Sequence, residues 1–539
     1  MALGDITLRA TNAPGARGAP QTRQATLFDV LGAAQRRHKR PRKAQGAGAD
    51  QENAAPASGQ PGPDHGAAKR VCTRRPLDAV AAVAACHQPP RALRRAVAPP
   101  PGGLYSMHAA VRARQRHVLA AGAVSTVGRL GSLVSPAASV FRLQDDLDPQ
   151  AGVLPLACRY SNAVARGAGR LALVDEGGFV TVFDTLGAAG AVGVASASAG
   201  LRPALRWRAH DNAVFDIAWR MDNAQAATAS ADETCRLWDV ERQLQLGAFV
   251  GHTQTVRSVS WRHGSEHCFS TASRDGSIMM WDTRCNKTAA DGGYAYRPVN
   301  TVGRAHHSAC SLPRPARGRR CAAGGSVTAI RHLQHNPSLV ASTGSASEVV
   351  KYWDVRMRAA PRESALPAPV ALSQLPTSSQ RPRGTSSLVL DPDGTRLYSA
   401  CKDNQVYVHN ALLPGQPVAQ LAAPEFECRS FNIGLAASPC SRFLAAGSTT
   451  GSVVVWELDQ LGRNSSRRRA VLQGHAKEAG CVAWYPGRER VQLATCGDDG
   501  ILRVWEENAL LAEAGRADPA ARCSWGFSSV LGPSPPPPA

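Results

Sequence analysis

One ending recurs seven times between residue 139 and residue 508: a turn containing Gly or Asp, a short apolar run, then an aromatic or His anchor followed by Asp, Asn or Glu. The anchors are Phe183, Trp238, Trp281, Trp353, His409, Trp456 and Trp505. Typical copies read Asp232-Glu-Thr-Cys-Arg-Leu-Trp238-Asp239 and Asp499-Gly-Ile-Leu-Arg-Val-Trp505-Glu506. Successive anchors stand 55, 43, 72, 56, 47 and 49 residues apart. A unit this short cannot bury its own apolar face and has to stack on its neighbours.

Two further apolar runs precede each anchor, such as Val256-Arg-Ser-Val-Ser-Trp261 and Ala226-Ala-Thr-Ala-Ser230. Several short strands per unit, joined by tight turns, make a propeller blade, and the spacing is that of WD repeats with loop insertions. Middle strands are covered on both faces and read as unbroken apolar runs, as in Val453-Val-Val-Trp456. The expected fold is therefore all-β, a seven-bladed WD-repeat β-propeller over 139–508. Ser139-Val-Phe-Arg-Leu143 is the candidate strand that closes the ring.

Polar residues recur at fixed places too. Asp232, Asp275, Asp403 and Asp499 each stand six residues before an anchor, where a short acceptor satisfies turn amides. His210, His252 and His475 open three of the repeats. With a strand Ser or Thr, the turn Asp and anchors such as Trp238, Trp456 and Trp505, they are expected to form buried structural networks. A His, Ser and Asp set superficially suggests a hydrolase, but repetition in several blades points to architecture.

Composition separates the repeats from what flanks them. All ten Trp lie at or beyond Trp207, whereas residues 1–138 hold two aromatics, Phe28 and Tyr105. That segment carries 20 Lys or Arg against 6 Asp or Glu, the larger part of the chain's net charge of +21. It is too poor in aromatic and β-branched residues to build a core and reads as a disordered basic N-terminal region; 509–539 reads as a short Pro-rich tail. No apolar run approaches the ~20 residues of a membrane span, and the first residues have no secretory-signal pattern. Fourteen Cys without a C-x-x-C pair suit reduced thiols better than disulfides or a zinc site. His306, His307, Cys310 and Cys321 fall within an extra loop, about 287–325, but match no standard finger spacing; no metal or cofactor is expected. That loop also carries the basic run 313–320, and a second low-complexity insert spans about 359–383.

Three stretches carry a more specific signal: 209–219, Ser273 to Lys287 with its ending Trp281-Asp-Thr-Arg-Cys-Asn-Lys287, and Lys351-Tyr-Trp-Asp-Val-Arg356. They resemble the denticleless-type substrate receptors of cullin-4 RING ubiquitin ligases. The resemblance extends through the repeats, including Glu176-Gly-Gly-Phe-Val180 and 494–499, and does not obviously reach residues 1–138. It implies a non-catalytic receptor that docks on the ligase adaptor through two W-D-x-R motifs, here Trp281, Asp282 and Arg284, and Trp353, Asp354 and Arg356. It further implies substrates presented on the sliding clamp, proliferating cell nuclear antigen, and read by the opposite rim, with replication and cell-cycle proteins as targets.

Residues 21–43 add two motifs. Gln24 and Leu27 lie in register with a clamp-interacting box, although Val30 and Leu31 stand where that box has aromatics. Smaller side chains there bury less apolar area. Arg36, Arg37, Lys39, Arg40, Arg42 and Lys43 form a dense cationic cluster, expected to direct the chain to the nucleus and to permit non-specific DNA contact. A WD-repeat histone chaperone or chromatin scaffold is the alternative reading, and acidic stretches to receive histones are lacking. An enzyme with an active site at the channel mouth is weaker still, since no convergent acid–base set is present.

Overall fold

Each recurring ending becomes the third strand of an antiparallel sheet. The computed structural model describes residues 126–144, 152–162, 169–185, 200–290, 293–306, 325–357, 368–373, 383–415, 417–458, 468–487 and 490–531. Five sheets are separate blades. The first contains Pro155–Tyr160, Arg170–Asp175, Phe179–Asp184 and Pro203–Arg208, in that order from the axis outward. The second begins with Val214–Trp219, Gln225–Ser230, Thr234–Asp239 and Leu244–Val250. The third has Val256–Trp261, Cys268–Ser273, Ile278–Asp282 and Asn300–Val302. The fourth has Val327–His332, Leu339–Gly344, Ser347–Asp354 and Ala371–Leu372, and the fifth Thr385–Leu390, Arg396–Cys401, Gln405–Asn410 and Ala419–Leu421.

The remaining strands form one continuous ten-stranded sheet, so the expectation of seven separate blades is corrected to five separate blades and this compound sheet. The cause is the C-terminal segment. Gly526–Leu531 pairs with Arg469–Gln473 on one side and Leu133–Ser135 on the other, and Leu133–Ser135 in turn pairs with Ile501–Glu507. Gly526 permits this approach, because a Cβ there would lie 2.4 Å from the Trp505 ring. The closing strand lies where the sequence places it: Val140–Arg142 pairs with Ile501–Glu507, with Phe141 opposite Leu502. The innermost strands pack side by side around the axis, and Ala479–Trp484 meets Pro155–Tyr160 to complete the ring.

Described elements also lie on either side of 139–508. They are the helix Thr126–Gly131 before it and, after it, the helices Ala509–Ala517 and Pro519–Ser524 and the strand Gly526–Leu531. Asn508 caps the first of these two helices by accepting from Leu511 N at 2.9 Å, and Asp518 caps the second through Ala520 N. Arg516 donates to the carbonyls of Gly131 and Ser528, both at 2.8 Å, tying the end of the helix Thr126–Gly131 to the strand Gly526–Leu531.

The core lies between adjacent blades. Central strands are buried throughout, as in Ala479–Trp484 and Gln492–Gly497, whereas the outer strand Pro203–Arg208 is largely exposed. Phe249 shows how neighbours interlock: it contacts Phe269 and Trp281 edge-on and stacks on Tyr296 with centroids 4.5 Å apart. Tyr296 belongs to a hairpin, Lys287–Ala290 with Gly293–Tyr296, that the sequence reading placed in a loop. This hairpin adds to the outer edge of the second blade, Tyr294 standing opposite Gly247. A Cβ on Gly247 would meet Tyr296 at 2.5 Å.

The tight turn before the third strand has a shared conformation in every repeat but the fourth. The residue five before the anchor has positive φ in six repeats: Gly178, Glu233, Gly276, Asn404, Gly451 and Gly500. At Gly178, φ is +88° and a Cβ would approach the His210 carbonyl to 2.2 Å. Only a missing side chain fits there.

Candidate functional site

In a four-stranded antiparallel blade, the connections between strands one and two and between strands three and four leave at the same end. The W-D-x-R motifs are the starts of two such connections, in the third and fourth blades, so they share one rim. Trp281 and Trp353 anchor them from below, both almost fully buried. Asp282 and Asp354 end the third strands and hold the turns.

The two turns match in detail. Arg284 Nε donates to Asp282 Oδ1 at 2.9 Å and Nη2 to Oδ2 at 2.6 Å, while the Arg284 backbone N donates to Oδ1 at 3.0 Å. Arg356 makes the same three bonds to Asp354, at 2.9, 2.6 and 3.0 Å. The bidentate pair holds the Asp282 carboxyl down at about 2, and Asp354 shifts in the same direction from the same cause. Both arginine side chains remain mostly exposed, 64% and 71%, against 15% for each aspartate. The fork is locked along one edge and presents its other edge outward.

Asn300, in the outer strand of the third blade, ties the motifs together. Its side-chain amide donates to the carbonyls of Val355 and Met357 in the neighbouring turn, at 3.0 and 2.7 Å. Val299, next to Asn300 in the chain, and Met357, next to Arg356, are exposed. Two pre-oriented cations suit a protein surface bearing acceptors.

The structural networks are also present. His210 bonds Asp232 at 2.8 Å and Thr228 Oγ1 at 2.7 Å, and Trp238 Nε1 donates to the same hydroxyl. His252, Asp275, Thr271 and Trp281 repeat this set, as do His475, Asp499, Thr495 and Trp505. Burial alone would raise the Asp275 carboxyl, but the hydrogen bond and charge of His252 with Ser277 overcome it and leave the group at about 2.

Two expected members differ. Asp403 has no histidine; its blade places His409 at the anchor, bonded to Ser399 at 2.9 Å, and Asp403 accepts from the Tyr407 phenol at 2.5 Å instead. Trp456 is buried, yet its Nε1 has no hydrogen-bond partner among the described residues.

One member was missed. His306 bonds Ser342 Oγ at 2.8 Å, and Trp353 Nε1 donates to that hydroxyl at 2.8 Å. It completes the fourth blade's set without an aspartate. The signal in the sequence is Ala305-His306, the same dipeptide as Ala209-His210, obscured by 47 residues to its tryptophan. Among the described residues no group of three or more His, Cys, Asp or Glu is arranged to hold a metal ion. His307, Cys310, Cys321, the run 313–320, the box Gln24, Leu27, Val30 and Leu31, and the cationic cluster 36–43 lie outside the described residues. No described helix is long and apolar enough to cross a membrane.

The family model for the WD domain, G-beta repeat, matches residues 202–239, 243–282 and 466–506. Over 364 residues the chain is 35% identical to the denticleless protein homolog of Danio rerio, covering 66% of this chain and 52% of that protein. The denticleless protein homolog of Homo sapiens is 32% identical over 386 residues, 69% and 49% of the two chains. The cell division cycle protein cdt2 of Schizosaccharomyces pombe is 31% identical over 313 residues, 56% and 59%. The chain thus spans about half the length of most of these relatives. It is a WD-repeat propeller protein, homologous over roughly two thirds of its length to proteins named denticleless and cdt2.

Proposed function

We propose that this protein is the substrate-recognition subunit of a cullin-4 RING ubiquitin ligase, docking on the ligase adaptor through Arg284 and Arg356. The observation that carries the reading is the matched pair of W-D-x-R turns in adjacent blades, tied by Asn300, each arginine fixed by its own aspartate and turned outward. The protein would supply recognition and its partner subunits the catalysis. In the same reading the ten-stranded sheet counts as two blades joined edge to edge, seven in all. The opposite rim receives replication and cell-cycle proteins bound to the sliding clamp, proliferating cell nuclear antigen. The 24–31 box reinforces clamp proximity, and the 36–43 cluster directs the chain to the nucleus, with non-specific DNA contact as a secondary property.

The test is copurification of the ligase adaptor and cullin-4 with the wild-type chain and with the Arg284→Ala, Arg356→Ala double variant. Recovery with the wild type and at least tenfold loss with the variant is the expected result. Equal recovery with both, or histones without ligase subunits, would sink the reading.

A further inference from the structure

The two W-D-x-R turns have a counterpart in the fifth blade. There the anchor His409 is followed by Asn410, Ala411 and Leu412, so Leu412 occupies the place of Arg284 and Arg356. Its backbone N donates to Asn410 Oδ1 at 2.9 Å, the bond that Arg284 and Arg356 make to Asp282 and Asp354 at 3.0 Å. The turn is held in the same way, but the side chain it exposes is apolar.

A second feature repeats in the same three blades. Each outer strand is entered through a Pro-Val pair: Pro298-Val299, Pro369-Val370 and Pro417-Val418. Each valine N donates to the carbonyl of the residue before the anchor, to Met280, Tyr352 and Val408 at 2.8, 2.8 and 2.7 Å, so the three valines are structurally equivalent. All three are exposed, at 52%, 46% and 53%. Proline fixes φ just before each of them, which leaves the backbone little freedom to lose on binding.

The three blades are joined at this rim. Asn300 bonds the turn of the fourth blade, and Ala371, next to Val370, packs in one apolar cluster with Ala411, next to Leu412. A stable protein interface takes roughly 20–30 residues a side, far more than two arginine turns contain. The repeat marks the direction in which the contact continues. Towards the second blade the arginine position holds Glu241, a carboxylate paired with Arg170 and unsuited to the acceptors that the arginines require. That blade exposes Met221 and Leu244, but outside the repeated pattern. A protein placing acceptors on Arg284 and Arg356 therefore meets Val299, Val370 and then Leu412 with Val418. Apolar contacts around anchoring arginines exclude water and strengthen their bonds.

We propose that the fifth blade completes the docking face, Leu412 and Val418 making an apolar contact with the same ligase adaptor that Arg284 and Arg356 engage, with the three valines in a row along it. This inference rests on the docking reading and adds residues that the reading does not use.

Purified adaptor is titrated against the immobilised full-length chain by biolayer interferometry. Leu412→Ser with Val418→Ser should weaken binding about tenfold and leave the thermal midpoint in place, since both side chains are exposed. That loss should persist at high salt, whereas the loss from Arg284→Ala with Arg356→Ala should shrink, because salt screens charge and not apolar burial. Val250→Ser, exposed at the opposite end of the second blade's outer strand, should bind as the wild type does; equal weakening there would overturn the proposal. If the double variant melts early, Val370→Ser, in the same row, is measured in its place. Unchanged affinity in the folded fifth-blade variant, with binding lost in the arginine variant, overturns this inference and leaves the docking reading standing. No binding by the wild type overturns both. Self-association by light scattering that the Leu412 and Val418 substitutions abolish, with adaptor affinity unchanged, assigns the row to a second copy of the chain and also overturns the inference.

Discussion

Asn300 donates to the Met357 carbonyl at 2.7 Å, and this bond joins the outer strand of one blade to the arginine-bearing turn of the next. The same amide holds Val355 O, so two backbone acceptors of the second W-D-x-R turn depend on one side chain from its neighbour. The spacing of Arg284 and Arg356 is therefore set by a contact outside both motifs. Asn300→Ala should leave the unfolding midpoint nearly unchanged but speed amide exchange at Val355–Met357, and weaken adaptor capture several-fold. Hydrogen exchange by mass spectrometry reads the first effect, and unaltered exchange in that turn would show the tie to be idle.

Thr271 is the hub of the third blade's network, lying 2.7 Å from His252 Nε2 and accepting from Trp281 Nε1 at 2.8 Å. Thr271→Val keeps the shape and leaves two buried polar groups without a partner. The expected cost is about 3 kcal/mol, from roughly 1–3 kcal/mol for each unsatisfied group. Urea denaturation should show a lower midpoint at constant slope.

The position five before each anchor offers a test with opposite signs. Glu233 adopts φ +72° with a side chain, whereas Gly178 adopts +88° without one. Glu233→Gly should stabilise the protein by about 1 kcal/mol, by relieving left-handed strain. Gly178→Ala should destabilise it by at least about 2 kcal/mol, because the added carbon strikes the His210 carbonyl as well. Paired thermal melts compare them, and changes of like sign would refute the shared geometry.

Buried imidazoles set the acid response. Burial lowers His306 and His332 to about 3 and His409 to about 4. The unfolded chain titrates near 6.5 and so binds more protons below that pH, which means stability rises with pH. The contribution is full above pH 6.5 and is lost as pH falls towards 4 and 3. At pH 5.5 each histidine removes about 1.4 kcal/mol. His306→Gln retains an acceptor or donor for Ser342 and should flatten the pH dependence between 7.5 and 5.5 by that amount. Urea midpoints at the two pH values measure it.

Much of the architecture could be read from the chain because blades repeat. His210, His252 and His475 each sit 28 to 30 residues before a tryptophan, and the structure gives all three the same partners. His306 escaped because an insertion stretches that interval, and spacing rather than chemistry was the guide. The hairpin ending at Tyr296 escaped for a related reason: it pairs with the second blade although it follows the third blade's anchor. The compound sheet was hidden because Gly526–Leu531 follows an apparent end of the repeats, and its two partners, Leu133–Ser135 and Arg469–Gln473, lie more than 300 residues apart in the chain. The W-D-x-R residues were visible as motifs, but the aspartate clamps and Asn300 follow from geometry alone.

The C-terminal strand also sets an order on biosynthesis. Arg129 pairs with Glu507, and Val134 stands opposite Phe527, so residues 129–135 wait for residues 507–527 before they find their places. The four strands that begin each of blades one to five follow one another in the chain and can form as they leave the ribosome, apart from the hairpin that the second blade receives after the third, whereas the ring stays open until residues 501–531 have emerged. A nascent chain stalled before that point would expose the unpaired edge of Arg469–Gln473 and invite pairing with a second chain.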